Sequence, residues 1–191
     1  VPRQAIDVFE NFYHQLEVGA TGLISESEVL PLTDVERVAD LNFDLDQQRA
    51  AASRTVVIKL NGGLGTSMGM ECAKSLLEIR SGETFLDIIV EQVRHLRSGL
   101  GVQIPLMFMN SFRTNEDTRA ALAKYEDLAV PGIDLDFMQN QEPKIRVDDL
   151  TPIDWPADPS LEWCPPGHAD IYTALSASGV LDSLLASGIE F

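Results

Sequence analysis

Apolar residues at Ile6, Phe9, Tyr13 and Leu16 recur every three or four positions, the period of an amphipathic helix. Val35, Val38 and Leu41 repeat that spacing, and Thr33 with Glu36 three residues on has the form of a capping box, so a second helix is predicted there. Residues 19–28 between them read as a loop, with Ser25 available as a cap. From Arg54 the pattern changes to alternating strand and helix. Residues 55–60 are β-branched and apolar, as in a buried strand. After a glycine-rich stretch comes a short apolar run, 75–79, and then a turn at Ser81-Gly82-Glu83. Phe85, Ile88, Ile89, Val93 and Leu96 mark a helix over 85–97. Residues 104–109 and 133–138 read as two further strands. Thr114 should cap a helix running to about Tyr125, with Asp117 as its acid in the third position. Residues 147–159 form a proline- and acid-rich loop, and Leu175, Gly179, Leu181, Leu184 and Leu185 predict one helix over 172–187.

Alternating strands and helices predict an α/β fold with a doubly wound, mostly parallel sheet, preceded by a helical segment over 1–50 that covers it. Residues 51–191 then form the ligand-binding part. Ligands on such sheets sit at the carboxyl ends of the strands. Three segments fall there: the glycine-rich loop after Leu60, residues 110–114, and Gln139.

The glycine-rich loop is the most informative of the three. Gly62, Gly63, Gly65 and Gly69 are followed by Lys74. Glycines let bare backbone N–H groups approach an anion, and a lysine adds a full positive charge, so a phosphate ligand and hence a nucleotide are indicated. The spacing fits neither familiar phosphate motif. Ala73, not glycine, precedes Lys74-Ser75, and Gly63, Gly65 and Gly69 are one residue too far apart for a dinucleotide fingerprint. The formal net charge of −16 argues against nucleic acid or an anionic membrane as main partner. It leaves room for a small phosphorylated ligand held by a locally positive site. Cys72 and Cys164 lack zinc spacing and read as two reduced thiols of a cytoplasmic protein; each lies in a segment near the predicted site, where alkylation would inhibit.

The string Lys59-Leu-Asn-Gly-Gly-Leu-Gly-Thr-Ser-Met-Gly resembles the nucleotide loop of sugar nucleotidyltransferases. It is most similar to that of the eukaryotic-type UTP–glucose-1-phosphate uridylyltransferases, or UDP-glucose pyrophosphorylases. Further segments follow in the family's order: Thr84-Phe-Leu-Asp-Ile-Ile-Val, Met109-Asn-Ser-Phe-Arg-Thr-Asn-Glu-Asp-Thr, Phe137-Met-Gln-Asn-Gln-Glu-Pro-Lys-Ile and Trp163-Cys-Pro-Pro-Gly-His-Ala-Asp. The resemblance implies a Rossmann-like nucleotidyltransferase fold of the GT-A type and the formation of UDP-glucose and pyrophosphate from UTP and glucose 1-phosphate, with Mg2+. It implies that Leu60, Asn61, Gly62 and Gly63 hold uracil and the phosphates through backbone groups. Lys74 would contact the UTP phosphates and serve catalysis, Gln139 would read uracil, Gly167 would touch the nucleotide, and His168 would contact glucose 1-phosphate together with Gly62 and Gly63. An amide suits uracil, whose edge presents two carbonyls and one N–H.

Three departures accompany the resemblance. Ala73 stands where the family usually carries proline, and Ser67 where bacterial-type relatives carry arginine. Residues 189–191 look like the start of a strand that in the family leads to a metal-binding aspartate, so the chain reads as an N-terminal part, inactive by itself. Two alternatives stay open: a pyrophosphorylase for another sugar, such as an N-acetylhexosamine 1-phosphate, and a non-catalytic nucleotide-binding domain of the same fold.

Overall fold

A computed structural model describes residues 1–65 and 69–191. Helix α1 (Arg3–Glu17) is followed by a long irregular stretch with two single 3-10 turns, Glu26–Glu28 and Val38–Asp40, and then by α2 (Leu45–Ala52). Strand β1 (Val57–Asn61) leads into the glycine-rich loop. A 3-10 turn (Lys74–Leu76) precedes a hairpin of β2 (Glu78–Arg80) and β3 (Glu83–Thr84). Ser81 and Gly82 both have positive φ, as a two-residue hairpin turn that follows the strand twist requires. Then come α3 (Phe85–Leu100), β4 (Leu106–Asn110), α4 (Asn115–Leu122) and β5 (Asp136–Met138). A small antiparallel pair, β6 (Glu142–Pro143) with β7 (Trp163–Cys164), brackets the acid-rich loop. The last helices are α5 (Ile171–Ala177) and α6 (Val180–Ala186).

The central sheet has the order β1-β4-β5, all parallel, with Asn61 opposite Asn110 and Asn110 opposite Met138. Strand β4 lies in the middle and is buried along its whole length. Its alternation divides the core into two layers. Leu106 and Phe108 face Leu86, Val90 and Val93 of α3 and Leu122 of α4. Met107 and Met109 face Phe137, Ala174 of α5 and Leu184 of α6. Helices on both faces explain why the strands read as continuous apolar runs. On the edge of β1 opposite β4, Val56 N–H donates to the Phe191 carbonyl (2.8 Å) and Glu190 N–H to the Arg54 carbonyl (2.8 Å). Residues 189–191 thus run beside the residues that lead into β1, without forming the strand that the sequence suggested begins there.

Several predicted elements are corrected. Residues 33–41 form no helix, only the turn Val38–Asp40, and its N-cap is Arg37 without a side-chain bond. Thr33, Val35, Val38 and Leu41 are exposed, so no packed face stabilises a helix there. Ser25 does cap, with Glu28 completing a capping box, but over a single turn. The helix predicted over 172–187 is two helices, broken at Gly179, which sits in the left-handed conformation (φ 76°) that ends helices. Thr114 is the N-cap of α4 but makes no capping bond, because its hydroxyl is committed elsewhere.

Candidate functional site

The three strand ends are fastened together from beneath. The buried Asn61 side chain donates from Nδ2 to Asn110 Oδ1 and to Thr118 Oγ1, both at 2.8 Å. The Thr114 hydroxyl donates to the Asn61 carbonyl (2.8 Å), and the Thr118 hydroxyl to the Thr114 carbonyl (2.6 Å). Gln139 N–H donates to the Asn110 carbonyl (2.8 Å). These residues are buried and polar, so their mutual satisfaction makes a rigid floor of fixed geometry.

Above that floor the glycine-rich loop leaves and returns. Lys74 N–H donates to the Gly63 carbonyl (3.1 Å), Gly65 N–H to the Cys72 carbonyl (3.2 Å), and Leu64 bridges Ala73. The two ends of the excursion are therefore strapped side by side, which sets Lys74 next to Gly63. Ala73 is completely buried with φ −57°, close to the angle a proline ring imposes, so alanine keeps the backbone course at the position where the family usually has proline. Ser67 lies outside the described residues. Lys74 opens only a three-residue turn, too short for a helix dipole to bear on its placement.

An open cleft of about 820 Å³ follows. Leu60, Asn61, Gly63, Lys74 and His168, all predicted site residues, line it, together with Lys59 and Ser75 and an apolar wall of Ile58, Leu77, Phe85 and Ile89. Two lysines and a histidine lie along it, and among the described residues no carboxylate does. In a chain with 30 acidic residues against 14 lysines and arginines, that is a local reversal of sign. It fits an anion.

Gln139 and Gly62 stand together beside this cleft. A Cβ on Gly62 would collide with the Gln139 carboxamide, so the glycine is needed for close approach. Gln139 lines a smaller hollow of about 340 Å³ with Phe112, Met138 and Asn140. Gly167 is exposed, with φ 113° and ψ −177°, a conformation open essentially to glycine alone, and it turns the chain so that the exposed His168 meets the cleft.

Residues to which the sequence reading assigned no ligand contact complete the site. Asn110, Thr114 and Thr118 form the floor, and Asn140 and Asp170 join two of its loops. Polar residues within otherwise apolar strand ends were the available signal. Cys164 lies in β7 beside Glu142; burial and the Glu142 charge push its thiol above the ordinary value, so it is a poor nucleophile. Among the described residues no three His, Cys, Asp or Glu side chains gather into a cation site.

A parallel α/β sheet with a lysine-bearing cleft at the carboxyl ends of its strands has its candidate site where doubly wound folds place their ligands. The family model of UTP–glucose-1-phosphate uridylyltransferase matches residues 6–191. The chain belongs to that family. It is 41% identical over 158 residues to the UTP–glucose-1-phosphate uridylyltransferase of Solanum tuberosum, covering 82% of this chain and 32% of that protein. The enzyme of that name from Hordeum vulgare is 43% identical over 150 residues, covering 78% of this chain and 31% of its own. Among solved structures, a mutant UDP-glucose pyrophosphorylase from Leishmania major in complex with UDP-glucose superimposes with a TM-score of 0.88 at 42% identity, over 98% of this chain and 39% of that one. A UDP-glucose phosphorylase from Trypanosoma brucei gives 0.87 at 40% identity, over 99% and 40%. The chain thus spans about a third of the length of the curated relatives it matches. Among the described residues no helix is long and apolar enough to cross a membrane.

Proposed function

We propose that this chain supplies the nucleotide-binding half of a site that joins UTP and glucose 1-phosphate into UDP-glucose and pyrophosphate. One observation carries the reading: Lys74 is strapped to Gly63 at the rim of a cleft that also holds Lys59 and His168 and, among the described residues, is lined by no carboxylate. Backbone groups of Leu60, Asn61, Gly62 and Gly63 and of Gly167 would hold the nucleotide, with the Gln139 carboxamide on uracil. His168 would contact the sugar phosphate. An oxygen of glucose 1-phosphate attacks the α-phosphorus of UTP in line; the new O–P bond forms as the bond to the β-phosphate oxygen breaks, and pyrophosphate leaves. Lys74 holds the charge that builds on the phosphates, and no covalent enzyme intermediate is needed. Mg2+ belongs to this proposal as the counter-ion of the triphosphate; among the described residues no three His, Cys, Asp or Glu side chains gather to hold it. A cytoplasmic setting is part of the same proposal.

Because the chain reads as inactive by itself, the test is pyrophosphate release by the whole protein that carries it, supplied with UTP, Mg2+ and either glucose 1-phosphate or N-acetylglucosamine 1-phosphate. Release that depends on UTP and prefers the glucose ester is the expected result. Preference for the other ester assigns a different sugar, and UDP binding without any release assigns a binding domain.

A further inference from the structure

Asp170 and Asn140 meet across 30 residues of sequence and both are buried, each about 8% exposed. The two oxygens of the Asp170 carboxylate take two different donors of one residue: Oδ2 accepts from the Asn140 backbone N–H (2.6 Å) and Oδ1 from its Nδ2 (2.8 Å). Residue 140 is therefore held both by main chain and by side chain, which leaves it neither rotation nor slide. Gln139, one position earlier, is already tied by its own N–H to the end of β4. On the other partner, Asp170 closes the turn His168–Asp170 and is the N-cap residue of α5. The Asp170 N–H donates back to the Gly167 carbonyl (3.3 Å), so the carboxylate is rigidly related to Gly167 and His168.

A buried carboxylate is expensive to desolvate, and it has a second acid as neighbour. Glu142, two residues beyond Asn140, has its carboxyl pushed above the ordinary value by burial and by the Asp170 charge. A hydrophobic contact would have joined these loops without that repulsion. What the carboxylate adds is geometry: a charge-assisted two-point grip that fixes distance and orientation together.

We propose that Asp170 is a positioning residue, and that the Asn140–Asp170 clip sets the spacing between the uracil-reading Gln139 and the sugar-phosphate contact His168. This rests on the functional reading above. The clip does not touch the reacting atoms; it holds the two recognition loops in one register, so that nucleotide and sugar phosphate are presented at a fixed separation. Asp170→Asn keeps the shape but has a single acceptor, and its amide NH2 faces one of the two Asn140 donors. The swap Asn140→Asp with Asp170→Asn restores every partner: the new amide at 170 donates to the carboxylate at 140 and accepts the backbone N–H of residue 140.

The experiment measures KM for UTP and for glucose 1-phosphate in the whole protein that carries this chain, for wild type, Asp170→Asn and the double swap, with Asn140→Ala in reserve should Asp170→Asn fail to fold. Loss of one charged hydrogen bond should raise both KM values about tenfold, and the swap should bring both back. KM is independent of the fraction of folded protein, so a purely structural role would lower the melting temperature and leave both constants in place; that result overturns the proposal. So does a rise in only one constant, or a swap that fails to rescue. A wild-type whole protein that neither turns over nor binds UDP refutes the functional reading and the positioning role with it. An active wild type with unmoved constants in the variants refutes the clip alone.

Discussion

Lys74 is the residue on which the proposed chemistry depends most, because it brings a full charge to the cleft while its backbone is bonded to Gly63. Replacing Lys74 with alanine should lower kcat by about a hundredfold or more, the usual effect of losing one preorganised charge in an acyl- or phosphoryl-transfer site. A rate near wild type would remove Lys74 from the mechanism. Gly62 makes a sharper test of geometry. In Gly62→Ala the new methyl displaces the Gln139 carboxamide, which is the far end of a flexible side chain and can move at small cost in stability. The expected outcome is weaker UTP binding and a smaller preference for UTP over CTP at a nearly unchanged melting temperature. Preserved preference would separate Gln139 from base reading. Of these contacts, the identity of Lys74 and Gln139 was legible in the sequence. Their neighbours were not, since Gln139 lies far along the chain from Gly62.

Elements carry two further predictions. The floor under the strand ends depends on Asn61, whose Nδ2 serves both β4 and α4. Asn61→Ala leaves the Asn110 oxygen and the Thr118 hydroxyl without that donor and should cost about 2 kcal/mol of stability, read by urea unfolding. The junction of α3 and α4 depends on Asp87. Its carboxylate accepts from Thr84 N–H (2.8 Å) and from the Tyr125 hydroxyl (2.6 Å), and pairs with Lys124 (2.7 Å). Burial alone would raise its pKa; the bonds from Lys124, Tyr125 and Thr84 outweigh that and hold it well below the usual carboxylate range. Such a group stabilises the fold above its unfolded pKa of about 3.9 and loses that contribution as pH falls towards the depressed value. Asp87→Asn should therefore cost about 3 kcal/mol at neutral pH. The gap in melting temperature from wild type should shrink progressively below about pH 4. A gap independent of pH would show that the charge is not what holds the junction. The capping box from Thr84 to Asp87 has a local pattern, whereas the partnership with Lys124 and Tyr125 exists only once α4 packs back on α3. Local periodicity also misjudged residues 33–41, where helical spacing occurs without a surface to bury it, and residues 172–187, where Gly179 breaks an otherwise continuous apolar face.

At the scale of the whole molecule, a net charge of −16 spread over 191 residues means mutual repulsion in the folded state. Salt screens it over a Debye length of about 8 Å at physiological ionic strength, so the melting temperature should rise as sodium chloride is added from a few mM to about 0.15 M. A falling melting temperature would mean that favourable ion pairs outweigh the repulsion. Sequence by itself placed the three strands of the central sheet and the helices α3 and α4 between them, and singled out the loop after Leu60, Lys74, Gln139 and His168 as candidates. Those follow from backbone preferences and hydrophobic periods that act over a few residues. The tertiary structure alone decided which of them meet. The parallel order β1-β4-β5 brings Asn61, Asn110 and Gln139 to one edge, the strapped loop returns Lys74 to Gly63, and the Asp170 carboxylate reaches Asn140. Such pairings depend on sheet order and on the burial of groups distant in the chain, and no local pattern encodes either.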